Sequence, residues 1–133
     1  MKSISAYLTF NGNCKEAMMF YQKCLGGNLS LQTIGESPMG CKMPVRMKKY
    51  ILTGILQNNH HVISGTDLVL ETGLIKGNNF ALLLQCSSTT ELEKTFALLS
   101  KGGNKIQLPN ENFYGVLVGT LKDKYGVHWI LQV

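Results

Sequence analysis

Two stretches of the chain follow the same order. Residues 6–32, AYLTFNGNCKEAMMFYQKCLGGNLSLQ, and residues 81–109, ALLLQCSSTTELEKTFALLSKGGNKIQLP, each run from an apolar segment through a polar turn and an amphipathic stretch. Both then reach a Gly-Gly pair and a second apolar-leaning segment. Phe20 and Phe96 stand 96 − 20 = 76 positions apart, and Gly26-Gly27 and Gly102-Gly103 share that spacing. The later segments repeat as well: Gly54 to Gly119 and Val62 to Val127 both differ by 65. A repeat of this size points to two copies of one supersecondary unit. Folds built from two like halves tend to hold a cavity between or within them.

The local signals give each copy the same content. Residues 3–10 read as a strand, broken by Asn11-Gly12. Asn13 is placed as an N-cap with Glu16 three residues on, which fits a capping box. Apolar residues at 17, 18, 20, 21, 24 and 25 keep helical spacing until Gly26-Gly27 ends the helix. Leu29–Ile34 reads as a strand, and Gly35–Met47 as a long excursion with two prolines and three methionines that could dock on the surface or cover a ligand. Lys49–Gln57, the turn Asn58-Asn59 and His60–Ser64 form a hairpin. Gly65–Gly77 is a connector with an acidic patch at Asp67 and Glu71. In the second copy, Asn79–Gln85 is a strand, Ser87–Thr90 offers helix caps, and Leu92, Phe96 and Leu99 mark one face of a helix over Glu91–Ser100. Lys105–Leu108, Gly115–Lys122 and Val127–Val133 close it as strands. The expected architecture is α+β: one domain, 1–133, of two βαβββ modules, 1–65 and 78–133, joined by a connector over 66–77.

Composition narrows the function classes. Hydrophobic residues make up 44% and charged residues 16% of the 133 positions, which fits a folded core rather than disorder. No apolar run approaches the roughly 20 residues that span a bilayer, and the N-terminus lacks a signal-peptide core. The expected location is therefore cytoplasmic, away from membranes. The net charge of +5 is spread along the chain with no basic run beyond Lys48-Lys49, so no nucleic-acid partner is expected.

Cys14, Cys24, Cys41 and Cys86 show no CxxC spacing and read as free thiols. Cys14 falls at a helix start, where the dipole favours a thiolate, which makes it a candidate nucleophile. His60-His61 would point to opposite faces of a strand and so could not chelate as a pair.

The strings YLTFNGNCKEAMMFYQKCLGG, GESPM, GNNFALLLQC, LSKGG and DKYGVHWIL, in that order along the whole chain, resemble the PhnB-like branch of the vicinal oxygen chelate superfamily. That superfamily includes glyoxalases, bleomycin-resistance proteins and extradiol dioxygenases. The resemblance implies two βαβββ modules forming a U-shaped mixed sheet with a cleft, and a homodimer. It also implies a divalent metal acting as Lewis acid, held by four inward side chains, typically His, Gln or Glu. At the matching positions this chain has Ser5 (with Tyr7 next inward), Thr53 or Ile55, Asn79 and Ile130, with His128 two residues away. Ser, Thr, Asn and Ile suit a transition metal poorly.

The expected function is therefore small-molecule binding without the usual metal, and no cofactor. Ser5, Tyr7, Thr53, Asn79, Phe113, Tyr114 and His128 would line the site, as aromatic walls with a few hydroxyl and amide groups. Two alternatives stay open. One is a lyase, isomerase or dioxygenase of the same superfamily, metal-dependent or metal-free, with His128 or Cys14 as base or nucleophile. The other is a dimeric interaction protein with a filled cleft. A methyltransferase, a label some relatives carry, is not expected, because no glycine-rich loop follows a strand to cradle a nucleotide-like cofactor.

Overall fold

The computed structural model describes all of residues 1–133. The chain divides into two compact units, Met1–Ile75 and Lys76–Val133. Each unit holds one helix and one four-stranded mixed sheet. In the first, β1 (Ala6–Thr9), α1 (Cys14–Leu25), β2 (Asn28–Thr33), β3 (Ile51–Gln57) and β4 (Val62–Thr66) build a sheet of order β1-β4-β3-β2. In the second, β5 (Leu82–Gln85), α2 (Thr89–Ser100), β6 (Asn104–Glu111), β7 (Leu117–Lys122) and β8 (His128–Gln132) repeat it as β5-β8-β7-β6. The first and last strands of each unit pair in parallel, and the other neighbours are antiparallel.

Each helix buries one stripe on one face of its own sheet. In the first unit Cys14, Ala17, Met18 and Tyr21 are fully buried on α1. In the second the buried stripe of α2 is Leu92, Thr95, Phe96 and Leu99. Burying a side chain such as Leu99 contributes about 1.5–3 kcal/mol relative to exposure.

These stripes correct the repeat read from sequence. They coincide at a spacing of 92 − 14 = 78, not the 76 that matches Phe20 to Phe96. Phe20 is only half-buried, and the counterpart of Phe96 is Met18. Packing explains the difference. A Cβ on Gly54 would stand 3.4 Å from Met18, and a Cβ on the equivalent Gly119 would stand 3.0 Å from the Phe96 ring. The Gly-Gly pairs do keep the 76 spacing, because each second glycine sits against the end of the third strand of its unit. A Cβ on Gly27 would lie 2.9 Å from the Gln57 carbonyl oxygen, and one on Gly103 would run into that of Lys122.

The excursion after β2 contains two 3-10 turns, Gly40–Lys42 and Val45–Met47. Met39 is exposed there, while Met43 and Met47 are half-buried. His60 and His61 lie in the β3–β4 turn rather than on a strand. Asn58 organises that turn: its Oδ1 accepts from the backbone N–H of both histidines, and its Nδ2 lies 2.9 Å from His61 Nε2.

Candidate functional site

Strand register decides which side chains stand on the sheet face away from each helix. Leu8 pairs with Gly65, and a Cβ on Gly65 would meet Cys14 and Met18 of α1 at 3.1 Å. Leu8, Gly65 and Gly54 therefore face the helix, and residues one step along face away. One row across this open face is Tyr7, Ser64, Ile55 and Ser30, and a neighbouring pair is Thr53 with Gln32. Thr9 joins the same face by alternation. The set carries five hydroxyls, one amide and one aliphatic chain, and no formal charge. Tyr7 is 64% exposed, so its ring is available to a ligand.

The open face of the second unit differs. Leu83 pairs with Ile130, Ile130 with Thr120, and Val118 with Gln132. Three aliphatic side chains replace hydroxyl positions, and Leu83, the counterpart of Tyr7, is 59% exposed. His128 opens β8 opposite Lys122 on this same face and is half-buried.

The structure thus brings Tyr7 and Thr53 onto one face. Ser5 lies ahead of β1 and is exposed, and Asn79 lies ahead of β5 and is exposed. Phe113 and Tyr114 sit in the turn between β6 and β7 and are almost fully exposed. Asn112 fixes that turn, its Oδ1 accepting from Tyr114 N and Val116 N. Sequence reasoning missed Thr9, Ser30, Gln32 and Ser64. The polar-apolar alternation of Asn28–Thr33 was the available signal, but choosing the face needs the helix contact.

Asp67 is also misplaced by the sequence reading. It belongs to no exposed acidic patch: Asp67 is buried, whereas Glu71 is exposed. Its Oδ1 accepts from Gly12 N and Cys14 N at 2.9 Å each, and its Oδ2 accepts from Ile51 N at 2.8 Å. This carboxylate takes the role assigned above to Asn13, which makes no side-chain cap hydrogen bond.

The same arrangement removes Cys14 as a nucleophile. The helix start favours a thiolate, but burial and then the Asp67 charge oppose it, and the Cys14 thiol is pushed up to about 12. At neutral pH it is a buried thiol. Burial, and then Glu91, also push the Cys86 thiol up. His61 is held below the ordinary histidine value, first by burial and then by His60.

No three His, Cys, Asp or Glu side chains gather into a group that could hold a metal ion. The open faces present hydroxyls, amides and aliphatic chains with the single imidazole of His128, a donor set that does not fit the divalent metal implied by the resemblance. No helix is long and apolar enough to cross a membrane.

Comparison with known proteins fixes the family. Residues 2–132 match the family described as 3-demethylubiquinone-9 3-methyltransferase. The chain belongs to this family. It is 29% identical to Protein YjdN of Escherichia coli, over 98% of this chain and 94% of that one. Protein PA1353 from Pseudomonas aeruginosa superposes with a TM-score of 0.86 at 28% identity, covering 98% of this chain and 96% of that one. A PhnB protein from Bacillus cereus, titled a putative 3-demethylubiquinone-9 3-methyltransferase, superposes with a TM-score of 0.73 at 20% identity, covering 98% of each chain. The α+β fold of two modules is that of glyoxalase/bleomycin-resistance proteins.

Proposed function

We propose that this protein binds an uncharged small molecule on the open face of its first sheet, and does so without a catalytic metal. The observation that carries this reading is the row Tyr7, Ser64, Ile55, Ser30 with Thr53 and Gln32 beside it. An exposed aromatic ring supplies stacking area, and the hydroxyls and amide supply directional hydrogen bonds. A face with no formal charge pairs best with a ligand that has none, because an unpaired ligand ion would lose its hydration without compensation. Tyr7 and Thr53 are the proposed contacts.

Methyl transfer, named in the family description, is not the reading favoured here. The loop between β1 and α1 holds a single glycine, and its amides at Gly12 and Cys14 are already taken by Asp67. It offers no cradle for a nucleotide-like cofactor. We further propose a homodimer, supported by apolar side chains left exposed along the second sheet, among them Leu83, Ile106 and Leu108. Four free cysteines suit the reducing cytoplasm.

The test is a thermal-shift screen of neutral, planar, hydroxyl- or amide-bearing compounds, with metal analysis of protein purified without chelator. A hit should raise the Tm by several degrees at saturation, and Tyr7→Ala should abolish the shift. A stoichiometric divalent ion would overturn the metal-free reading. Turnover lost in His128→Ala would establish the enzyme alternative.

A further inference from the structure

The first turn of α1 borders a surface groove of about 550 Å³, lined by Asn13, Lys15, Glu16, Met19, Lys49 and Tyr50 together with Gly12. That volume falls within the range of about 300–1,000 Å³ typical of small-molecule pockets. None of these residues belongs to the open sheet face described above.

Three features point to a ligand. First, Asn13 occupies the cap position but does not cap, because Asp67 holds the helix-start amides from the other side. Its carboxamide is left to the groove. Second, the half-buried Tyr50 lines the groove with one edge of its ring: Lys49 Nζ stands 5.9 Å from its centroid, and Met19 in the same lining is 51% exposed. Gly12, at φ +92°, lets the backbone approach this ring, since a Cβ there would lie 3.4 Å from Tyr50 Cε1. Third, Lys15 and Lys49 bring two cations to one groove.

We propose that this groove binds a planar aromatic carboxylate. The ring packs on Tyr50 and Met19, the carboxylate pairs with Lys15 and Lys49, and the Asn13 amide donates to it. Glu16 in the groove and Asp67 behind it set the charge of the ligand. Two carboxylates at this end tolerate a monoanion and repel a dianionic phosphate.

The experiment is amide chemical-shift mapping of the whole chain titrated with 2-naphthoate, with 2-naphthamide and inorganic phosphate as controls. Shifts at Gly12–Met19 and Lys49–Tyr50 with a Kd of about 1 mM are expected. Lys49→Ala should weaken binding about fivefold or more, and Lys49→Arg should restore most of it. Tyr7→Ala should leave it unchanged. The exposed Lys49 side chain can be replaced without unfolding the chain, and the undisturbed spectrum of the variant checks that. No shifts, equal binding of 2-naphthamide or phosphate, or indifference to Lys49→Ala would overturn the proposal. Shifts centred on Tyr7, Ser64 and Thr53 would overturn it as well, while leaving the sheet-face reading standing.

Discussion

Helix α1 is capped from a distance and helix α2 from next door. Asp67, more than 50 residues along the chain, holds the Gly12 and Cys14 amides and ties them to Ile51 N. At α2, Ser88 Oγ accepts from Glu91 N, while Glu91 Oε2 accepts from Ser87 N and Ser87 Oγ. The second unit also has a buried aspartate, but Asp123 works locally, accepting from Tyr125 N, Val127 N and Trp129 Nε1. Two copies of one module thus solve the same hydrogen-bonding problem with bonds of very different sequence range. The long-range solution frees the groove-side residue Asn13 from capping. The local one leaves no such residue.

The largest effect should come from the distant cap. Asp67→Ala strands the buried N–H groups of Cys14 and Ile51 and releases that of the exposed Gly12, and should cost about 3–5 kcal/mol in urea unfolding. A loss under about 1 kcal/mol would mean that α1 does not depend on it.

The Cys14 thiol offers a second way to break the comparison. Its folded pKa of about 12 lies above the ordinary value of 9.0, so this contribution is intact below pH 9. Between pH 9 and about 12 only the unfolded thiol loses its proton, and stability falls by up to about 1.4 kcal/mol per pH unit. Cys14→Ala should flatten that part of the alkaline profile relative to wild type, and identical slopes would contradict the assignment.

Smaller differences follow from packing. Gly119→Ala drives a methyl to 3.0 Å from the Phe96 ring and 3.2 Å from Pro109, two rigid neighbours, and should cost about 1–3 kcal/mol. Gly54→Ala meets Leu31 and Met18, which can turn aside, and should cost under about 1 kcal/mol. Equal losses would show that the two interfaces are equally stiff.

Smallest of all are the caps themselves. Ser88→Ala should lower stability by about 1 kcal/mol, while Asn13→Ala should change it by less than about 0.5 kcal/mol, both read from chemical denaturation. A large loss at Asn13 would restore the local capping box that the sequence suggests.

The duplicated βαβββ order, the Ser87–Glu91 cap region, the Gly-Gly stops and the hairpin turn at Asn58 were all legible in the chain. Each depends on residues within a few positions of one another, so hydrophobic period and turn chemistry suffice to reveal it. Tyr7 and Thr53 were named through the family resemblance, and the strand register sets both on the sheet face away from α1. The Met18–Phe96 equivalence, the burial of Asp67, the neutral Cys14 thiol and the open positions of Phe113 and Tyr114 were decided by tertiary structure. They depend on which helix turn settles over which sheet glycine, and on a carboxylate meeting amides more than 50 residues away. Neither contact leaves a periodic trace in the sequence.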